Sequence, residues 1–415
     1  MEYGIDRPSP EDEENIMAAL KQSDRVSSIS LTVTRSLLEK MSAIGTPFSN
    51  LENLVLLSLD DVGLTTPFAF RWGSRLRSLH STGVAFPLPR LLYSSMNLVD
   101  LQLHKVPSPL HFSPEILTRA LSRMVQLRSL SLHFLSTAYY TASHPPSRER
   151  VVLPALTRFN FQGNTEYLEV LVARLDTPRL ERIEVTFSNI NTLDLSKLCE
   201  FVARMGMHKS NRRAYLQSSK RAISLSLLQP GSPTCLTLKL LSKQLGQQLF
   251  FMTQICIRFS AFLSNVEDLR ISAMRPPNWQ DDYYYAQWRG VISPFEGAKW
   301  LHVADDPWHS TDLVRALNPP NWWREHLLPS LLELYIPQPG PRHAPLRELV
   351  VSFMTSRRLS GRPIAVEYER LCHISELRDQ GTIYAQYRHL HSLTRLEQVL
   401  FLGRSRLRCS PRTFS

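Results

Sequence analysis

The chain has 415 residues, 43% of them apolar and 20% charged, a composition that fits a folded protein and excludes a disordered or collagen-like one. Lys and Arg total 48 against 37 for Asp and Glu, a net charge of +11, and between Glu200 and Glu267 there are nine basic residues and no acidic one. The longest apolar run, Leu249 to Leu263, is broken by Gln254 and Arg258 and is shorter than the roughly 18 to 20 residues that a membrane span needs.

The N-terminus is acidic and has no apolar h-region, so residues 1–25 read as a flank and not as a signal peptide. From Val26 onward a short pattern recurs: an aliphatic residue, two variable ones, a second aliphatic, one variable, a third aliphatic. It starts at Val26, Leu54, Leu76, Leu98, Leu127, Leu156, Leu180, Ala222, Val266, Ala298 and Leu331. The starts are 28, 22, 22, 29, 29, 24, 42, 44, 32 and 33 residues apart. The first half therefore keeps nearly the period of leucine-rich repeats, about 20 to 29 residues, and the second half carries insertions. Each unit is a strand too short to stand alone, with one face made apolar by the alternation at its last two apolar positions.

Segments with helical spacing lie between the strands. Ser113-Pro114 opens one through Leu117, Leu121 and Met124; Thr165 is placed to cap a second through Leu168, Leu171, Val172 and Leu175. Thr311 would cap a third, and Leu346, Leu349, Val350 and Phe353 line a fourth that stops at Gly361. Within an insertion near 207–264, AISLSLL and CLTLKLL are joined by QPGSPT, a turn that suits an antiparallel hairpin; Leu249, Met252, Ile255, Phe259 and Phe262 then take helical spacing. Residues 26–370 thus read as an α/β fold, an irregular leucine-rich-repeat solenoid (horseshoe) with a parallel sheet on the concave face and helices or loops on the convex face. Residues 371–415 read as a basic, turn-rich tail expected to be poorly ordered.

The stretches PEDEENIMAALKQSDRVSSISLTVTRSLLEKMS, LVDLQLHKVPSP with FSPEILTRALSRMVQLRSLSLHFLS, LPALTRFNFQGNTEYLEVLVARLDTPRLERIEVTF and FMTSRRLSGRPIAVEYER resemble fungal F-box proteins with a C-terminal leucine-rich-repeat-like solenoid. The resemblance spans roughly Pro10 to Arg370 and implies the substrate-recognition part of an F-box type ubiquitin-ligase subunit. The helical F-box itself, which would dock on the ligase adaptor, has no counterpart motif in these residues, so the adaptor is expected as a partner only if a longer product carries one. An orphan repeat scaffold no longer coupled to ubiquitination is an alternative expectation.

No nucleophile-elbow, zincin, P-loop or dinucleotide glycine motif occurs, and 15 Gly leave few positions for cradling phosphate. No catalytic, cofactor or metal residue is therefore expected, and the rival reading is an enzyme whose site is assembled from dispersed residues. His80, His104, His133 and His302 fall on solvent-facing strand positions, with His104 and His133 at the same position of adjacent units. Two imidazoles make an incomplete zinc site. The basic stretch Arg204 to Arg221 lacks periodicity and reads as a solvated loop, so nucleic acid is not expected as a partner; of the aromatics from Trp279 to Trp288, Trp288 reads as core, with Ile292 and Phe295, which leaves Trp279 and Tyr283 to Tyr285 as candidate contact residues. Five cysteines without a C-x-x-C pair, and no N-glycosylation acceptor, point to an intracellular, cytoplasmic or nuclear protein. The expected function is binding a protein ligand of unknown identity, with no membrane involved. The predicted contact residues are Arg270, Trp300, His302 and Tyr335, which bring large and charged side chains to the open positions of three successive strands.

Overall fold

In a computed structural model, residues 9–44, 46–58, 75–84, 96–106, 113–134, 150–188, 194–205, 212–219, 221–229, 231, 235–242, 245–273, 282–304, 307–318, 327–337 and 344–369 are described. The chain divides into two units, Met1–Glu367 and Tyr368–Ser415. The expected tail, 371–415, lies outside the described residues, as do Trp279 and the side chains of Tyr283 to Tyr285.

Period-two alternation produces the strands. In chain order they are β1 (Ser28–Val33), β2 (Asn53–Ser58), β3 (Ser78–Thr82), β4 (Asp100–Val106), β5 (Ser129–Phe134), β6 (Val151–Val152), β7 (Arg158–Gly163) and β8 (Leu175–Asp176). There follow β9 (Arg182–Ser188), β10 (Arg213–Ser218), β11 (Ala222–Leu228), β12 (Cys235–Leu241), β13 (Asp268–Ala273), β14 (Trp300–Ala304), β15 (Glu333–Pro337) and β16 (Ala365–Glu369). Fourteen of them form one sheet in the order β1-β2-β3-β4-β5-β7-β9-β12-β11-β10-β13-β14-β15-β16, while β6 and β8 pair separately. The fold is mixed α/β with a large, mostly parallel sheet.

The repeat shows itself in a backbone ladder. The carbonyl just ahead of each strand accepts the two N–H groups that enter the next: Ser27 from Glu52 and Asn53, Glu52 from Arg77 and Ser78, Arg77 from Val99 and Asp100. Val99, Arg128 and Thr157 continue the series, and it resumes with Arg212, Glu267 and Lys299. This ladder corrects one register. LENLVLLSL satisfies the motif starting at either Leu51 or Leu54, but the bonds to Ser27 set Asn53 opposite Ser28. The unit therefore starts at Leu51, and Ser58, expected on the open side, is buried at 5% exposure.

The ladder breaks where the insertion enters. After the helix Ser196–Arg204 the chain makes β10 three strands away from β9, turns at Ser219 with its N–H donating to the Ala222 carbonyl at 2.7 Å, and returns as β11 and β12. β11 is antiparallel to both neighbours, whereas β12 runs parallel to β9 and β10 parallel to β13. The antiparallel excursion is as the QPGSPT turn predicts. Its third strand is a surprise: Arg213–Ser218 lies in the stretch that reads as a solvated basic loop, because Ala214 and Leu216 are a weak apolar signal on their own.

Apolar residues at alternate strand positions pack against the helices in one continuous core that includes Leu54, Leu101, Phe159, Val185, Leu225, Ile271 and Leu334, each at most 2% exposed. Burying one such side chain stabilises the fold by roughly 1.5–3 kcal/mol. Trp288, Ile292 and Phe295 join this core, as their spacing predicts. Helix starts are fixed by side-chain caps: Ser9 in a reciprocal capping box with Asp12, Thr34, Ser113 and Asn164. Asn164, not Thr165, caps the helix Thr165–Ala173, and Leu175 leaves it for β8; Thr311 likewise sits inside the helix Pro307–Leu317 instead of opening it. At the start of the helix Ser196–Arg204 the N-cap residue Leu195 has no side chain that can accept; Asp194 accepts the Ser196 N–H at 3.1 Å, and the Glu169 carboxylate from the preceding helix accepts the Lys197 and Leu198 N–H groups at 2.7 and 2.9 Å. Burial pushes the Glu169 carboxyl up to about 7 despite these bonds. Among the described residues no helix is long and apolar enough to cross a membrane.

Candidate functional site

The face of the sheet opposite the core carries the variable side chains in rungs, because residues two apart on a strand share a face and parallel register places equivalent positions side by side, about 4.8 Å apart. In one rung Tyr215, Arg270, His302 and Tyr335 stand on β10, β13, β14 and β15. In the rung before it, Arg213, Asp268, Trp300 and Glu333 occupy the same four strands. All four residues singled out from the sequence thus stand close together, Arg270, His302 and Tyr335 in one row and Trp300 beside them between Asp268 and Glu333.

These side chains are already organised. The rings of His302 and Tyr335 stack with centroids 4.2 Å apart and planes 6° from parallel, and the Arg270 guanidinium lies 5.6 Å from the Tyr215 ring centre. Asp268, only 13% exposed, accepts from Arg213 Nε at 2.8 Å and from Arg270 Nε at 3.3 Å, and faces His302 Nε2 at 3.7 Å. The Tyr335 hydroxyl donates to the Glu333 carboxylate. At the margin, Lys299 pairs with Glu267 at 2.9 Å and lies 6.0 Å from the Trp300 ring centre. A carboxylate hub thus pairs with two guanidiniums, and the His302 and Tyr335 rings stack on each other across neighbouring strands. Such an arrangement loses little side-chain freedom when something docks on it. Tyr215 and Arg213 escaped the sequence reading because the strand that carries them did. The alternation Ala214-Tyr215-Leu216 was the available signal.

A second polar group occupies the same face nearer the N-terminus. His80 Nε2 lies 2.9 Å from Asp100 Oδ2. Burial by itself would raise the Asp100 carboxyl, but His80, Ser129 and Gln102 together hold it below its ordinary value. His104 and His133 stack 4.0 Å apart at 5°, as their shared position predicts, and His104 Nε2 meets Ser131 Oγ at 3.0 Å. Beyond this pair Lys105, at φ +51°, bulges β4 so that Val106 meets Phe134. Burial, and for His104 the neighbouring imidazole, push the two rings down to about 3 (His104) and about 4 (His133), so both are neutral near pH 7. Among the described residues no three His, Cys, Asp or Glu side chains converge as metal ligands.

No protein-family model matches the chain, and no curated protein matches it. Among solved structures it is similar to the leucine-rich repeat-containing protein LegL7 from Legionella pneumophila, at 13% identity over 79% of this chain and 97% of that one, with a TM-score of 0.33. A likeness that loose adds nothing to what the ladder and the registers establish directly.

Proposed function

We propose that this chain is a non-catalytic, leucine-rich-repeat-like protein-recognition module whose binding surface is the open face of the sheet, centred on Arg270, Trp300, His302 and Tyr335. The observation that carries the reading is the prearranged row itself: Tyr, Trp and Arg, the types that dominate binding hot spots, stand on adjacent strands, with Arg270 held by Asp268 and Tyr335 stacked on His302. A repeat fold offers a broad surface of this kind, set in shape by its units and in chemistry by the variable strand positions. The finer reading, substrate selection for an F-box type ubiquitin ligase, is supported by the sequence resemblance alone and would make the ligase adaptor a partner through an F-box in a longer product.

The test is affinity capture with mass spectrometry, using the wild type and a Trp300→Ala/Tyr335→Ala variant. A stable protein partner captured by the wild type should be lost from the double variant while its melting temperature stays within a few degrees, because both side chains are partly exposed. Unchanged capture by a folded double variant removes the C-terminal patch as the site. Ubiquitin-ligase subunits among the captured proteins would support the finer reading.

A further inference from the structure

Several charged side chains on the open face are paired where they stand: Arg213 and Arg270 with Asp268, and Lys299 with Glu267 at the margin. A row at the entering ends of β5, β7 and β9 is different. Arg158 and Arg182 are direct register partners on adjacent parallel strands, and Ser129 is the residue of β5 in their register. Arg128, one residue earlier and level with Thr157, flanks the pair at the rim of the sheet, where its carbonyl accepts the Arg158 N–H at 3.0 Å. Arg128 and Arg158 are exposed and Arg182 is half-buried. None of the three forms an ion pair with an acidic side chain among the described residues, although Glu181 and Glu184 are close in the chain. Like charges directly opposite on neighbouring strands destabilise a sheet, so the row costs the isolated chain something that an anion would relieve. Lys239, on the next strand of the sheet, shares the face of Arg158 and Arg182 but lies four residues beyond their level, opposite Thr186.

We propose that this row binds an acidic segment of a partner protein, with Arg128, Arg158 and Arg182 forking onto its carboxylates. The proposal rests on the reading of the open face as a binding surface and concerns a patch separate from Trp300 and Tyr335. Carboxylates suit the chemistry because the planar guanidinium meets them two bonds at a time. Around the row stand neutral hydrogen-bonding side chains, Ser129, Asn160 and Gln162, that serve an extended peptide's backbone. A nucleic-acid strand fits less well. Its bases need aromatic platforms, and the open positions of β5, β7, β9 and β12 carry no aromatic other than His133, already stacked on His104. The Glu184 carboxylate beside the row would also repel a continuous phosphate backbone, whereas separated carboxylates can straddle it.

The experiment is fluorescence anisotropy at low salt with the full chain and three probes: a short labelled peptide of alternating Glu and Asp, its Gln/Asn counterpart, and an oligothymidylate of similar length. The acidic peptide should bind the wild type, weaken as salt rises, and bind the Arg128→Gln/Arg158→Gln/Arg182→Gln variant about tenfold less tightly, in line with three partly exposed ion pairs. The triple variant should melt with the wild type or slightly above it. The Trp300→Ala/Tyr335→Ala variant should bind the peptide normally, so a failure of the arginine row and a failure of the C-terminal patch are read from different variants. Equal binding of the neutral peptide, no effect of the triple substitution, or tighter binding of the oligothymidylate overturns the proposal.

Discussion

Replacing Asp268 with Asn keeps the side chain's volume and one carbonyl acceptor but removes the charge that holds Arg213 and Arg270. The magnitude follows from the geometry. A fully buried hydrogen bond to a charged group contributes about 1.5–3 kcal/mol, and an exposed ion pair about 0.2–1 kcal/mol. Asp268 is 13% exposed while Arg213 and Arg270 are 35% and 30% exposed, so each bond falls between the limits, near ~1 kcal/mol after screening. The expected loss is about 2 kcal/mol, or only about 2–3 °C in melting temperature for a unit this long. Hydrogen exchange is the sharper assay, because units of a repeat array open locally: amides of β13 and its neighbours should exchange about 30-fold faster, while those of β1 to β3 stay unchanged. Lys299→Ala is the control. It breaks a more exposed pair and should shift neither reading measurably. If Asp268→Asn leaves β13 exchange at the wild-type rate, the carboxylate is not the hub that holds the row.

Gly297→Ala should destabilise the fold by about 2–3 kcal/mol or block folding, since an added Cβ would stand 2.2 Å from the Ser264 carbonyl oxygen and backbone would have to move; circular dichroism melting decides it, and a wild-type melt would refute the clash. The His104–His133 stack should make the protein acid-sensitive. Both folded pKa values lie below the ordinary 6.5, so the unfolded chain takes up these protons first; the stability they confer is intact above about pH 6.5 and is lost as pH falls toward 4, by about 2 kcal/mol near pH 5 after allowing for their partial exposure. Denaturant melts across that range should be flatter for His133→Gln, and an equally steep dependence would assign the acid sensitivity to other groups.

What the sequence disclosed followed from how local each signal was. Strand positions and the two facing sets of side chains were legible because period-two alternation is local and repeated, and the stacking of His302 on Tyr335 and of His104 on His133 came within reach once equivalent positions were aligned. The start at Leu51 was not legible, since LENLVLLSL fits the motif twice and only hydrogen bonds to Ser27 separate the two registers. β10 was hidden for a related reason: Ala214 and Leu216 acquire strand meaning only between β11 and β13, a pairing that depends on chain more than fifty residues away. The Asp268 hub needed that strand, because one of its two guanidiniums, Arg213, arrives on it. The capping of the helix Ser196–Arg204 by Glu169 likewise joins residues 28 and 29 apart, a distance at which no local cap signal operates.

The central claim is that a partner lands on the open sheet face and not on the helical layer. Site-specific photo-crosslinking tests it most directly, with a benzophenone amino acid placed at Tyr335 on the open face in one variant and at Val351, 61% exposed on the helix Ala344–Leu359, in another. The account predicts that the captured partner crosslinks from position 335 and not from position 351. Crosslinking from 351 with none from 335 would contradict it.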